Sequence, residues 1–245
     1  MLLKRLIIVG YPEGNLAGAI YKHAYAEALV NSGKFKVMFY KPEMKLSGLN
    51  LSGIVVIYAG KGGRLQETYE LCETYDLPLI QAATGLAKPE NPGFPFINAP
   101  NLSPLIVTFF KALKNFKAPY EPLMDQLTIK IQESHQKSKK TVPGTAKKMS
   151  EILGYEFKPE QDSIRDHTRQ LKEIGIPGEH LGRHAYHNIT IEGFMAEIGL
   201  TTRVLGLDTY GVGALWFAER ILARDNKGML DDGYQEIEEF LEEIK

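Results

Sequence analysis

The first half of the chain alternates between short apolar runs and amphipathic stretches. Apolar runs rich in β-branched residues occupy 3–9 (LKRLIIV), 35–43 (FKVMFYKPE), 51–60 (LSGIVVIYAG) and 77–85 (LPLIQAATG). Stretches with helical spacing lie between or after them, at 21–33, 64–76 and 104–116. Continuous apolar strands of this kind are typical of a parallel sheet that is buried on both faces. The alternation therefore predicts an α/β domain whose strands are joined by right-handed helical crossovers.

The second half has a different pattern. The segment QLTIKIQESH alternates apolar and polar residues, which is typical of a strand with one solvated face. A helix is predicted over KKMSEILGYEF, and a strand pair over HAYHNITIEG and FMAEIGLTTRVLG. The helix GALWFAERILARD and an acidic, exposed helix over DDGYQEIEEFLEEIK close the chain. This half is predicted to be α+β, with the terminal helices free to pack back on the first half.

Composition narrows the function class. The chain has 245 residues, 44% hydrophobic and 24% charged, which allows one large domain or two smaller ones. A formal net charge of -1 argues against nucleic-acid or membrane-surface partners. No apolar run approaches the roughly 18 residues that a membrane span needs, and the apolar N-terminus is interpreted as a first strand. Cys72 is the single cysteine, which excludes a disulfide within the chain and a multi-cysteine zinc site. We expect a cytoplasmic protein without a metal site.

Residues 133–149, ESHQKSKKTVPGTAKKM, concentrate chemical groups. His135 is predicted to lie just beyond the end of a strand, and Pro143-Gly144 to turn the chain into a helix that Thr145 caps. The first amides of a helix attract an anion, and the lysines around 137–140 add positive charge. A histidine beside an anion site can give a proton to a bound carboxylate substrate. A solvated basic loop before an ordinary helix is the alternative interpretation.

The order of these residues resembles a family signature. Glu133, His135, Lys139 and the run Pro143–Ala146 resemble the Glu-x-His-His-x-x-Lys and Pro-Ser-Gly-Thr-Ala motifs of the 4-hydroxy-tetrahydrodipicolinate reductase family. The segments IVVIYA, QAATG, PNLS and LTTRVLGLDTYGVGALWFAERIL are similar to further motifs of that family, in the same order. The resemblance covers most of the chain.

The resemblance implies a two-domain enzyme. A Rossmann-type parallel-sheet domain (1–103 and 217–245) would bind NADPH or NADH, and an α+β domain with a mixed sheet (104–216) would bind a small cyclic dicarboxylate and build a homotetramer. His135 and Lys139 would be the acid pair of a reduction in lysine and diaminopimelate biosynthesis. The implied substrate-binding residues are Gln136, Gly144 and Thr145. The implied cofactor-binding residues are Gly10, Gly14, Asn15, Leu16, Lys41, Ala82, Ala83, Thr84, Asn101 and Ser103.

Several positions depart from the family pattern. Gln136 stands where the family has a second histidine, Thr202 where it has a histidine in the last strand, and Asn15 where it has an arginine. Lys41 ends the second strand with a cation, which would favour the 2′-phosphate of NADPH. The GKGG loop around Lys61 is interpreted as either a second anion site or a plain glycine connector. Two alternatives follow: a paralogue that reduces another imino or keto acid, and a non-catalytic ligand-binding homologue.

Two further groups complete the candidates. His184 and His187 are three residues apart on a predicted strand, so we expect them on opposite faces and not in a metal site. The polar cluster around Asp166 and His167 either closes over the site or forms an exposed loop. We predict that nearby lysine cations depress the pKa of His135, because like charges disfavour the imidazolium.

Overall fold

The structure is a computed structural model that describes residues 4–30, 35–46, 48–139 and 142–241. The predicted helix stop at Gly33, the loop residue Lys140 and the last four residues of the predicted acidic helix lie outside the described residues, as does the side chain of Asn15.

Within these residues the strands and helices follow the predicted alternation. The strands are β1 (Lys4–Val9), β2 (Phe35–Phe39), β3 (Ile54–Tyr58), β4 (Leu79–Gln81), β5 (Pro95–Asn98), β6 (Thr128–His135), β7 (Ser163–Ile164), β8 (His184–Gly193), β9 (Ala196–Leu205) and β10 (Gly233–Glu236). The helices are α1 (Asn15–Val30), α2 (Leu65–Tyr75), α3 (Pro104–Tyr120), α4 (Gly144–Leu153), α5 (Pro159–Asp162), α6 (His167–Lys172) and α7 (Asp208–Asp225). Short 3-10 turns lie at Leu51–Gly53, Glu121–Gln126, Gly178–His180 and Ile237–Leu241.

The first sheet is parallel throughout, as its apolar runs predict. Its strand order is β10-β5-β4-β3-β1-β2. The strands are buried on both faces, because one apolar cluster packs around α1 and α7 and a second packs around α2. The chain leaves β1 towards β2 and then returns to place β3 on the other side of β1. In an open parallel sheet, ligands bind outside the carboxyl ends of the strands where the order reverses in this way.

The second sheet is mixed, with the order β7-β6-β8-β9. Strand β7 runs parallel to β6, whereas β6, β8 and β9 form an antiparallel ladder. The predicted strand pair is confirmed as the β8–β9 hairpin, whose two turn residues are Phe194 and Met195. Both have positive φ angles, of 54° and 61°, which a two-residue hairpin turn requires in order to match the twist of its strands.

The chain divides into two compact units. One comprises the described residues of Met1–Val107 and Asp208–Lys245, with the parallel sheet, and the other comprises Thr108–Leu207, with the mixed sheet. No helix among the described residues is long and apolar enough to cross a membrane.

The predicted acidic helix at the C-terminus is wrong in the described residues. Residues 233–236 form strand β10 beside β5, and 237–241 form a 3-10 turn. Ile237 and Phe240 are buried in the core against α7, so tertiary packing overrides the helical preference of the glutamates. Strand β5 was not predicted either, because its four residues are bounded by prolines and glycine that favour a loop.

Candidate active site

The predicted acid His135 is the last residue of β6, and its ring is anchored by a carboxylate on the same strand. Glu133 lies two residues earlier, so the alternation of a strand places both side chains on one face. The Nδ1 atom of His135 lies 2.6 Å from Oε2 of Glu133. The Glu133 side chain is fully buried, and 12% of the His135 side chain remains exposed. A buried carboxylate thus fixes which ring nitrogen faces inward.

Glu133 is itself held by two neighbours from the segment after α5. Its Oε1 atom accepts a hydrogen bond from the hydroxyl of Ser163 and pairs with a guanidinium nitrogen of Arg165 at 2.5 Å. Burial alone would raise the pKa of Glu133, but hydrogen bonds from His135, Arg165 and Ser163 outweigh it and lower the pKa to about 2. The carboxylate is therefore ionised at every pH where the protein would work.

The pKa of His135 lies below its ordinary value. Burial is the largest cause of the lowered pKa, and the cations of Lys139 and Arg165 lower the pKa further. The contact with Glu133 acts in the opposite direction and raises the pKa. The predicted direction is confirmed, although burial outweighs the lysine charge that motivated the prediction. The pKa of Lys139 is also lowered, mainly by burial. Since Nδ1 of His135 is taken by Glu133, and Nε2 has no hydrogen-bond partner within the described part of the chain, Nε2 is the atom available for proton transfer.

Helix α4 begins two residues earlier than the predicted cap requires. Pro143 is the residue before the helix and no side chain caps this end, so the prediction that Thr145 caps the helix is wrong. The chain is already helical at Gly144, with the amide of Lys147 bonded to the carbonyl of Pro143, and Thr145 is buried as the second helical residue. Ile129, which shares a strand face with His135, lines the same cavity as Leu153. Helix α4 also contacts β6 directly.

The turn between His135 and α4 separates the predicted lysines. The amide of Lys139 bonds back to the carbonyl of Gln136, which closes a tight turn directly after β6. Lys139 and Gln136 are half-buried by this turn, whereas Lys137 is exposed. Lys139 is thus the described lysine of this segment whose charge acts on the buried pair.

A row of four polar side chains crosses the mixed sheet, and sequence reasoning missed it. The strand register aligns Ser163, Glu133, His187 and Thr202, one residue from each of β7, β6, β8 and β9. We call these residues the polar row. The Nδ1 atom of His187 lies 3.0 Å from the hydroxyl oxygen of Thr202, and the rings of His187 and His135 meet edge to face with centroids 5.8 Å apart. Glu133, His187 and Thr202 lie on predicted strands, whereas Ser163 lies in a polar stretch where no strand was predicted, and the register that aligns the four residues is not visible in the sequence.

The opposite face of the same strands is also polar. Ser134 bonds to Nε2 of His184, and the Gln170 amide donates to Ser134 and to the carbonyl of His135. His184 and His187 therefore lie on opposite faces, as predicted. Gln170, which was not among the predicted site residues, fastens α6 to the end of β6.

The cluster around Asp166 divides between two roles. Asp166 caps α6 by accepting from the amide of Arg169, and Asp166, His167 and Arg169 are exposed. The predicted exposure is thus confirmed for these three residues, but His167 and Arg169 belong to helix α6 and not to a loop. Arg165 differs, because its side chain reaches the buried Glu133.

At the parallel sheet, the loop from β1 to α1 is built on close backbone contacts. A Cβ atom at Gly10 would lie 2.6 Å from the Cβ of Ala17, and one at Gly18 would lie 2.3 Å from the carbonyl oxygen of Pro12. The amide of Gly14 bonds to the carbonyl of Tyr11. Only glycine can be accommodated at these two positions, and the loop therefore packs closely against the first turn of α1. Gly18 was not predicted, although it continues the spacing of four residues.

The other predicted cofactor residues follow the carboxyl ends of neighbouring strands, after β2, β4 and β5. They are Lys41, Ala82, Ala83, Thr84, Asn101 and Ser103. Lys41 is exposed, whereas Asn101 and Ser103 are buried. Asn101 accepts from the amide of Ser103, whose hydroxyl accepts from Thr209. The last two predicted residues thus also shape the turn into α3.

The GKGG loop after β3 is tied down by a tyrosine. The hydroxyl of Tyr58 accepts from the amide of Gly62 at 2.9 Å and donates to the carbonyl of Gly63 at 2.7 Å. A Cβ atom at Gly60 would lie 2.8 Å from the same hydroxyl. Because an amide that could bind an anion is already used, the structure favours the interpretation of this loop as a glycine connector.

Comparison with known proteins gives one consistent set of relatives. The chain is 28% identical over 143 residues to a probable chloroplastic 4-hydroxy-tetrahydrodipicolinate reductase 1 of Oryza sativa subsp. japonica (54% of this chain and 42% of that protein). It is 27% identical over 139 residues to the chloroplastic reductase 2 of Arabidopsis thaliana (53% and 40%). The aligned region spans less than half the length of these relatives. No protein-family model matches the chain.

A solved structure shares the fold along its whole length. The dipicolinate-bound dihydrodipicolinate reductase from Paenisporosarcina sp. TG-14 superposes with a TM-score of 0.57, covers 97% of this chain and 99% of its own, and is 17% identical. The sequence match to the plant enzymes and this shared fold agree with the motif order found in the sequence. In sequence the chain is similar to 4-hydroxy-tetrahydrodipicolinate reductases, and these findings support a divergent relative of that family.

Proposed function

We propose that the protein reduces a cyclic imine or enamine dicarboxylate with NADPH or NADH, as 4-hydroxy-tetrahydrodipicolinate reductase does in lysine and diaminopimelate biosynthesis. The observation that carries the proposal is the ionised, buried Glu133 bonded to Nδ1 of His135. This arrangement leaves Nε2 of His135 as the site of a proton that can be given to substrate.

The side chains around His135 have separate roles in this reaction. Glu133 stabilises the imidazolium and holds the ring, and Arg165 keeps Glu133 ionised. The lowered pKa of His135 makes its imidazolium a stronger acid than a free histidine. Lys139 and the first turn of α4, at Gly144 and Thr145, provide positive potential for substrate carboxylates, and Gln136 offers a hydrogen bond.

The carboxyl edge of the parallel sheet fits a dinucleotide. The close contacts of Gly10 and Gly18 hold the β1–α1 loop tightly against the start of α1, and the strand order reverses at this loop. Gly10, Gly14 and Leu16 with the backbone of Asn15 would hold it, Lys41 would meet the adenosine ribose, and the loops that contain Ala82–Thr84 and Asn101–Ser103 would border the nicotinamide. The bound nicotinamide would supply the hydride that complements the proton from His135.

A direct assay tests the proposal. Purified protein is mixed with NADPH or NADH and freshly generated 4-hydroxy-tetrahydrodipicolinate, and the absorbance of the reduced nicotinamide is followed. We expect turnover that His135→Ala lowers by about 10²- to 10⁴-fold, the usual share of a general acid. His167→Ala, at an exposed histidine on α6, is the matched control. Wild-type turnover no faster than that of His135→Ala contradicts the proposal.

Gln136 favours a second candidate, reduction of a different imino or keto acid. A glutamine cannot carry the charge that a histidine there could, so the preferred substrate need not bear the same second carboxylate. A panel of keto and imino acids in the same assay discriminates the two, since the preferred substrate will have the highest kcat/KM. Calorimetric titration with both nucleotides separates either enzyme from a non-catalytic homologue.

The domain roles and the assembly also remain proposals. Residues 1–103 and 217–245 would bind the dinucleotide, and 104–216 would bind substrate and form a homotetramer. Sedimentation of the purified protein tests the assembly.

A further inference from the structure

His187 lies against the proposed acid, but it belongs to a different strand. It is the direct cross-strand partner of Glu133, and Ala185 is the partner of His135. Directly opposed side chains start about 5 Å apart, and diagonal ones are still within reach of a ring. Because Ala185 offers only a methyl group opposite His135, the His135 ring lies against the diagonal His187 ring at 5.8 Å.

The burial of His187 costs free energy that a purely packing role would not require. Its side chain is 1% exposed, and its Nε2 atom is buried with no hydrogen-bond partner among the described residues. An unpaired buried polar atom costs free energy that an apolar side chain of similar shape would not cost. What the imidazole gains is the bond between Nδ1 and the Thr202 hydroxyl, which fixes its ring plane from β9. The ring is therefore oriented and not merely packed.

We infer that His187 is a positioning residue for His135: Glu133 fixes the acid ring at Nδ1, and His187, oriented by Thr202, fixes the ring face. This inference rests on the proposed function of His135. Two contacts from different strands leave the ring one orientation, with Nε2 free for proton transfer. No contact between His187 and substrate is required.

The ionisable groups around His135 determine how its pKa would respond to loss of the contact with His187. The ionisable groups that act on it are Glu133, Lys139, Arg165, His184 and His187. Burial is the largest cause that lowers the pKa of His135. Loss of the His187 ring would admit water beside His135 and so raise the pKa towards the ordinary histidine value.

Three variants separate the ring from its hydrogen bond. His187→Ala removes the ring and leaves space beside His135, His187→Phe keeps a ring but loses the bond to Thr202, and Thr202→Val loses the same bond from the other side. His167→Ala, at an exposed histidine, is the control. The readouts are kcat and KM in the reductase assay, and the ¹H–¹³C NMR titration of the His135 ring, which needs no activity. Melting temperatures establish that each variant is folded.

We expect His187→Ala to lower kcat by about tenfold with KM within about twofold, and to raise the titration midpoint of His135. His187→Phe and Thr202→Val should each lower kcat by about threefold, and their double variant should lose no more, because both remove one bond. A folded His187→Ala with unchanged kcat and unchanged titration overturns the inference, as does a His187→Phe that is as impaired as His187→Ala. If wild type reduces no substrate, the proposed function fails, and the His135 titration alone decides whether His187 positions the ring.

Discussion

The polar end of the mixed sheet and the carboxyl edge of the parallel sheet offer two different kinds of binding surface. At the mixed sheet, a fully buried carboxylate, two imidazoles and a guanidinium are held by side-chain bonds across four strands. At the parallel sheet, the β1–α1 loop is shaped by glycine contacts and backbone hydrogen bonds. One region is defined by side chains and the other mainly by backbone.

The difference follows from what each region would have to do. A proton donor needs an appropriate pKa and a fixed orientation, and a buried charge is stable only when it has partners. Several side chains must therefore be placed together. A dinucleotide pyrophosphate binds to backbone amides, and glycine allows the backbone to approach it closely. The side chains around it can therefore vary more widely. A change in the polar row should therefore alter rate, whereas a change in the glycine loop should alter nucleotide affinity.

The largest effect is expected from Glu133→Gln. An amide can donate to Nδ1 of His135 and so select the wrong tautomer, and it removes the charge that stabilises the imidazolium. We expect kcat to fall by about 10²- to 10⁴-fold with nucleotide affinity unchanged. Ser163→Ala removes one hydroxyl bond to the same carboxylate but keeps its charge, so it should lower kcat only by about threefold, far less than Glu133→Gln. An active Glu133→Gln enzyme would contradict the contrast between the two regions.

Gly10→Val tests the other side of the comparison. A Cβ at this position meets Ala17 at 2.6 Å, so the loop must move away from α1. We expect calorimetry to show a loss of NADPH affinity of at least about tenfold, while the His135 titration stays as in wild type. Gly178→Ala, where the added atom meets nothing within 4 Å, is the control. Unchanged NADPH affinity in Gly10→Val would remove the dinucleotide assignment from this loop.

Acid should destabilise the protein through its buried histidines. Burial lowers the pKa of His187 to about 3, and the pKa values of His135 and His184 are lowered as well. Between about pH 6.5 and 3, His187 binds a proton in the unfolded chain but not in the folded protein. The stability that is present above pH 6.5 is therefore lost as the pH falls. Each such group contributes a slope of up to about 1.4 kcal/mol per pH unit. Urea unfolding from pH 7 to 5 should show a shallower loss in His187→Phe than in wild type, and equal slopes would contradict the burial.

The smallest effect is expected at Lys41. It is exposed at the end of β2, where a cation would favour the 2′-phosphate of NADPH. Lys41→Ala should reduce the preference for NADPH over NADH by about three- to tenfold, because solvent screens an exposed charge. Calorimetry with both nucleotides measures the ratio, with Lys36→Ala, an exposed lysine within β2, as control. An unchanged ratio would leave the cofactor preference to other residues.

The sequence predicted the helices and strands best where the apolar pattern was long. β1, β3, β6, the β8–β9 pair and α7 are found where their periodicity indicates. It failed for β5 and β10, which are four residues each and depend on neighbouring strands for their hydrogen bonds. The cap of α4 was misplaced by two residues, because a proline-glycine turn does not reveal where helical dihedrals begin.

For the site, sequence alone indicated that His135 lies at the end of a strand and that a helix follows the Pro143-Gly144 turn, because these are local consequences of alternation and turn chemistry. The same alternation places Glu133, two residues earlier, on the face of His135, although this pair was not predicted. Only the tertiary structure decided that Ser163, Arg165, His187 and Thr202 surround that pair. These residues lie up to 69 positions from Glu133 along the chain (202 − 133 = 69). Their alignment is set by strand register, which follows from the packing of the whole sheet and not from the residues nearby.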